Sequence, residues 1–362
     1  MASTVLPSAP SSSRTQAPSP VRSMPRGGSP ATASATTTAS ESRPGSGSDF
    51  AAVVGEPSGS GSVPGAPSGL ATLVSLSLPM LFILLWSSGY VAGKLALPHA
   101  GPFSLLALRF GVAALVLLAV AVLTRAPWPR TARAWVHLAV VGLLMQVLHF
   151  SGVYSAIQWG LPTGIAALLI GMMPLATALG AHLWLAERLT PLQGWGLLGG
   201  AAGVALVIAG RPMGGADWQA YGAGLIGLAG LVTGTLYQKR FCAGMDLRSG
   251  SGIQMAVSAL AVLGLALWRE PALPDWSLEL VGATLWLALV NSIGAFSLMF
   301  VMIRRGQAGA VARLFYLIPG VSALMGYAVL GERLSGQALL GFAVSAGAVA
   351  LVAMRDRQTT AR

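Results

Sequence analysis

Two stretches of this sequence, 145 positions apart, are copies of one another. Residues 164–207 read GIAALLIGMMPLATALGAHLWLAERLTPLQGWGLLGGAAGVALV, and residues 309–352 read GAVARLFYLIPGVSALMGYAVLGERLSGQALLGFAVSAGAVALV. They align without a gap, and roughly a third of their positions are identical. Pro174 matches Pro319, and Glu187-Arg188-Leu189 matches Glu332-Arg333-Leu334. The same offset pairs Gly89 with Gly234 and Lys94 with Lys239, so the copied unit is half the chain rather than one hairpin. A doubled apolar unit of this kind is the mark of a secondary transporter built from two structural repeats.

What surrounds the copies is apolar enough to require a bilayer. Hydrophobic residues make up 54% of the chain and charged residues 9%, against about 25% charged in an average soluble domain. Ten apolar segments follow residue 71, at about 76–97, 102–124, 135–157, 162–185, 192–210, 220–239, 252–268, 277–303, 307–330 and 336–354. Each is close to the ~20 residues that cross a hydrocarbon core. The expected fold is an all-α integral membrane protein with ten transmembrane helices. Residues 71–212 form one five-helix repeat and 216–355 the other, with residues 356–362 a short cytoplasmic tail. Residues 1–70 are Ser-, Pro-, Ala-, Thr- and Gly-rich, and read as a disordered low-complexity cytoplasmic tail. No apolar stretch of signal-peptide type follows Met1, whereas the serines and arginines of the tail also resemble a transit peptide.

Charge fixes the expected orientation. With the amino terminus cytoplasmic, sixteen Lys and Arg fall inside and only Arg211, Arg269 and Arg333 outside. This distribution absorbs the net charge of +11 without any nucleic acid partner. Five helices is an odd number, so the two repeats are expected to be inverted and both termini cytoplasmic. A bacterial-type inner cell membrane is the expected location, ahead of an organellar one.

The residues then carry a family resemblance. LWSSGYVAGKLAL (Leu85–Leu97), the Pro102…Arg109-Phe110 opening of the second segment, and the two proline-to-Glu-Arg-Leu stretches resemble an EamA-type member of the drug/metabolite transporter superfamily. Ala186 departs from the Gly common before this Glu. The resemblance covers residues 71–355. It implies ten helices, both termini cytoplasmic, and export of small metabolites such as amino acids or amphipathic toxic compounds.

Ionisable side chains at membrane depth are functional candidates by default. Here they are Lys94, Arg109, His149, His182 and Arg313, with no Asp or Glu near the middle of a segment. Arg109 reads either as a clamp for a carboxylate or phosphate or as a partner of helix carbonyls. Lys94 is expected to snorkel to the outer interface. Arg313 is a stronger site candidate, because its repeat partner is Leu168 and the fold does not demand the charge. His149 can carry a proton or pack as a hydrogen-bonded residue, and Asn291 must find a partner in hydrocarbon. Trp86 and Tyr90 share a helix face; with Phe150, Tyr154, Phe315 and Tyr316 they are candidates for an aromatic cavity wall or for ordinary packing. The substrate-binding set is therefore Trp86, Tyr90, Arg109, His149, Tyr154, Asn291, Arg313 and Tyr316, near the midplane between segments 1, 3, 4, 6, 8 and 9. Glu187 and Glu332 are expected at the water boundary as exposed loop charges. GxxxG spacing at Gly196/Gly200 and Gly199/Gly203 marks packing helices, with a possible homodimer.

No HExxH motif or acidic pair supports an enzyme, and the single cysteine, Cys242, excludes a disulfide framework. No cofactor or metal is expected. The expected function is export of small metabolites by alternating access. A drug or toxic-compound carrier, or a receptor-like membrane protein without transport, stands as the alternative.

Overall fold

The computed structural model describes residues 69–186, 188–210, 217–270, 272–304, 314–315 and 317–360. Residues 1–68 of the expected disordered tail, with Glu187, Arg313 and Tyr316, lie outside the described residues, and the last two tail residues, Gly69 and Leu70, open the first helix. Among the described residues every regular element is helical.

The helices are α1 (Gly69–Ala96), α2 (Pro102–Leu123), α3 (Ala132–Gln158), α4 (Thr163–Leu185), α5 (Pro191–Ala209), α6 (Trp218–Phe241), α7 (Leu247–Arg269), α8 (Leu278–Arg304), α9 (Ile318–Leu330) and α10 (Gly336–Thr360). Eight helices, α1 to α8, are long and apolar enough to cross a membrane, and shorter apolar helices occur at Ile318–Leu330 and Gly336–Ala348. The outward surface is apolar too. Leu115, Trp195 and Leu260 are each 69–73% exposed, a pattern that water does not support and acyl chains do.

Local sequence explains where the helices break. Pro174 cannot donate to the preceding turn, and α4 is interrupted at Met172, between Thr163–Gly171 and Met173–Leu185. Pro319 stands at the start of α9 at the repeat offset. Two further irregularities come from π-helical turns: Leu143–Leu148 within α3 and Trp286–Ala295 within α8. Moved by 145 positions, the first falls inside the second. The backbone therefore repeats its irregularity where the sequence repeats itself.

Packing follows the same doubling. α2 packs along α7, α4 on α9 and α5 on α10, so each of these helices meets its own copy; α1 meets α8 as α3 meets α6. The α5–α10 seam consumes the small residues. A Cβ on Gly203 would stand 2.6 Å from the Gly341 carbonyl, and one on Gly199 2.8 Å from the Ala348 Cβ. Gly199 and Gly203 of the GxxxG pairs thus serve helix packing within the chain, the role that their spacing marks. Gly203→Leu is expected to cost about 1–3 kcal/mol through overpacking, read as loss of the monodisperse peak in size-exclusion chromatography.

The two Glu-Arg-Leu stretches end helices alike. Ala186 has φ 55° and Gly331 φ 68°, both left-handed. Glycine adopts that conformation freely, whereas Cβ opposes it by roughly 1–2 kcal/mol. Ala186→Gly should therefore stabilise the protein by about 1 kcal/mol, measurable as a raised Tm of the purified chain.

Candidate polar site between the repeats

Among the described residues Arg109 is the largest fully buried side chain, at 1% exposure. It sits two turns into α2, and each of its three nitrogens donates to a different neighbour. Nε donates to Ser292 Oγ at 3.0 Å, Nη1 to Tyr154 OH at 2.8 Å and Nη2 to Asn291 Oδ1 at 3.1 Å. The guanidinium plane also lies 4.3 Å from the centre of the Phe150 ring, a favourable placement for a cation. One side chain thereby ties α2 to α3 and to the π turn of α8. Asn291 extends the network: its Nδ2 donates to the Leu85 carbonyl at 2.9 Å and the Trp86 carbonyl at 3.3 Å. That reach needs a glycine opposite. A Cβ on Gly89 would lie 2.6 Å from Asn291 Nδ2. Gly89→Ala is therefore expected to displace Asn291, unhook Arg109 and lower transport several-fold, a decline visible in flux assays on correctly inserted protein.

Every atom that these bonds bring to Arg109 is neutral, so its charge is spread over hydroxyls, an amide and a ring rather than cancelled by a carboxylate. Of the expected site residues, Arg109, Tyr154 and Asn291 come together directly. The Trp86 ring meets Phe82 at a tilt and Phe315 edge-on, at 5.5 and 5.1 Å between centres. Tyr90 is buried in the same core. His149 turns elsewhere: its Nδ1 meets the Gly227 carbonyl at 3.0 Å, and its ring rests on Phe150. Ser292 is a member of the Arg109 network that sequence reasoning misses, because a serine beside an apolar run carries no signal of its own.

Two charges meet partners that their own helices do not show. Lys94, expected to reach the interface, pairs through its Nζ with Glu332 Oε1. Glu332 is not an exposed loop charge, its side chain being only 9% exposed. It also accepts from Thr163 N at 2.9 Å and Thr163 Oγ1 at 2.7 Å. The carboxylate thus satisfies the free N–H at the start of α4, where the helix dipole favours a negative charge. Gly331 makes this possible, since its left-handed turn folds Glu332 back towards the helix that it has just left, with Glu332 N–H donating to the Gly326 carbonyl at 3.1 Å. A reading based on one helix at a time places Glu332 at a helix end and misses that the other repeat covers it.

An apolar cavity of about 290 Å³ opens beside the α4 break, lined by Leu168, Met172, Pro319, Phe342 and Ser345 among others. It lies between α4, α9 and α10 rather than at Arg109. It shares α4 and α9 with the expected cavity wall.

Comparison with known proteins decides the family. The EamA-like transporter family matches residues 73–209 and again 219–354. The chain belongs to that family. Among curated proteins it is similar to the "Uncharacterized inner membrane transporter YedA" of Escherichia coli (strain K12), 28% identical over 75% of this chain and 88% of the relative. It is likewise similar to the "Probable amino-acid metabolite efflux pump" of Salmonella typhimurium, 28% identical over 73% of this chain and 89% of that one. A third relative is the "WAT1-related protein At3g02690, chloroplastic" of Arabidopsis thaliana, 27% identical over 74% of this chain. The match spans 66% of that protein's length. One solved crystal structure superposes with a TM-score of 0.55 at 21% identity, covering 79% of this chain and 99% of that one, which bears on the fold alone. This EamA-family chain is thus a multi-pass membrane protein of a transporter family.

Proposed function

We propose that the chain is a secondary transporter that exports small metabolites, such as amino acids or related organic compounds, across the cytoplasmic membrane. It works by alternating access between two inverted five-helix repeats. The observation that carries the substrate reading is Arg109, a buried cation whose bonded partners are all neutral. A site with that charge attracts a negative group and repels a cation, and low dielectric magnifies both effects. The substrate accordingly bears a carboxylate or similar anionic group beside an apolar or amine part. Arg313, outside the described residues, adds a second positive charge at depth in this reading. Trp86 and Tyr90, together with Tyr154, Asn291, His149 and Tyr316, supply the aromatic and hydrogen-bonding remainder. A relative named as an amino-acid metabolite efflux pump favours the same substrate class.

The Lys94–Glu332 contact supports alternating access. It joins α1 of the first repeat to the end of α9 in the second. With the amino terminus cytoplasmic it lies on the outer side, where it closes the seam between repeats. Lys239 and Glu187 are its repeat mates on the inner side. An inverted pair of this kind gives each side of the membrane a latch of the same chemistry.

The test uses purified protein in proteoliposomes. Labelled amino acids and organic acids should enter or leave faster than from protein-free vesicles, and Arg313→Gln should slow them at least tenfold. Robust flux of a simple organic cation, with none of any carboxylate, would overturn the charge argument.

A further inference from the structure

The repeat offset maps the Arg109 network onto a second place in the molecule. Adding 145 to Arg109 gives Gln254 on α7; subtracting 145 from Asn291 gives Gln146, in the π turn of α3. Both are polar and both are nearly sealed from the surface, at 8% and 7% exposure. Their neighbourhoods correspond as well. Gly89 backs onto Asn291, and its copy Gly234 backs onto the same π turn of α3, a Cβ there meeting Met145 N at 3.1 Å. The π turn of α3 packs on α7. A Cβ on Gly142 would stand 2.8 Å from the Gln254 carbonyl and 3.0 Å from Ser258 Oγ. Gln146 follows Gly142 by one helical turn, on the same face.

The two places differ in satisfaction. Arg109 and Asn291 hold each other and bind α1, α3 and α8 into one network. Among the described residues, neither the Gln146 nor the Gln254 side-chain amide has a hydrogen-bond partner. Nor is either amide among the completely sealed polar atoms that lack one, so the residual exposure of each residue reaches its polar end. A primary amide nine-tenths buried, with no partner in the protein, is costly, and two such groups on one helix interface are a cost that packing alone does not explain. Each amide offers two N–H donors and one carbonyl acceptor and carries no charge.

We infer that Gln146 and Gln254 form a second polar substrate station, the uncharged counterpart of the Arg109 cradle, on the inner half of the pathway. Its ligand is the hydrogen-bonding end of a polar or zwitterionic metabolite, such as an α-ammonium-carboxylate group, which can both donate to and accept from the two amides. This inference rests on the transporter reading. Gln254 is seven residues from the cytoplasmic start of α7 and Arg109 seven from the outer start of α2, so the two stations would stand at mirrored depths. A substrate would pass from a neutral site that it leaves easily to a charged one, or the reverse.

Gln146→Met and Gln254→Met remove the amides while keeping side-chain length. If the amides are kept for a ligand, each variant should melt about 2–4 °C higher than the parent in detergent, because an unpaired polar group has gone. Efflux of labelled L-amino acids from proteoliposomes should fall at least tenfold. Gln146→Asn, which keeps a donor and an acceptor, should retain more flux than Gln146→Met. A lower Tm in the methionine variants, or flux equal to the parent's, would overturn the station. The melting readout needs no substrate. A parent with no flux of any amino acid would therefore strike the transporter reading, while a fall or rise in Tm would still decide the fate of the amides.

Discussion

Arg109→Leu should lower the unfolding free energy by about 3 kcal/mol or more and abolish transport. The substitution strands Ser292 Oγ, Tyr154 OH and Asn291 Oδ1 together, and each buried polar atom left without its partner costs about 1–3 kcal/mol. Arg109→Lys separates charge from geometry. It keeps the cation, yet an ammonium cannot span three acceptors on two helices as the guanidinium fork does. The lysine variant should therefore be nearly as unstable as the leucine variant while retaining some attraction for a carboxylate substrate. Thermal melts in detergent give the first quantity, and the KM for a carboxylate probe in proteoliposomes gives the second. A leucine variant with the parental Tm would show that the four side chains do not depend on one another.

Locking Lys94 to Glu332 should stop transport. In a Cys242→Ser background, Lys94→Cys with Glu332→Cys places two thiols where an ion pair now joins the repeats. Oxidation should arrest flux and reduction should restore it, because in the proposed alternating-access cycle this seam must part. Flux that survives complete cross-linking would remove the pair from any gating role. The single substitutions separate gate from cap. Lys94→Met loses one contact, whereas Glu332→Ala also strips the acceptor from Thr163 N and Oγ1. Glu332→Ala should accordingly destabilise by about 1–3 kcal/mol more than Lys94→Met, a difference visible in paired melting curves.

Much of the fold is legible in the amino-acid sequence, for a definite reason. Membrane length, proline position and the internal copy are properties of consecutive residues, and these place α1 to α8 within about three residues of where they run, except that α1 begins seven and α7 five residues earlier than expected. Arg109, Tyr154 and Asn291 stand out as candidates because buried polarity in an apolar segment is conspicuous. That they are one network is not legible, since 45 and 182 positions separate Arg109 from Tyr154 and Asn291. The partner of Lys94 is illegible on the same ground, being 238 positions away and in the other repeat. Gln146 and Gln254 carry no charge and so draw no attention, although the offset points from Asn291 and Arg109 to both. The π turns leave no trace in hydropathy, because one surplus residue per turn does not alter which residues are apolar.

Those π turns also date the molecule's history. A π turn is a single extra residue accommodated in an α-helix. Finding one in α3 and another at the equivalent place in α8 means either two separate insertions at the same spot or one that was inherited twice. The second requires a single event. The extra residue was then already present in the shorter ancestor, which had only one such helix per polypeptide and needed a second molecule to supply the other half. The polar positions opposite it would at that stage have been identical in both subunits. Arginine on one side and glutamine on the other are thus a divergence that became open once the two copies were encoded separately.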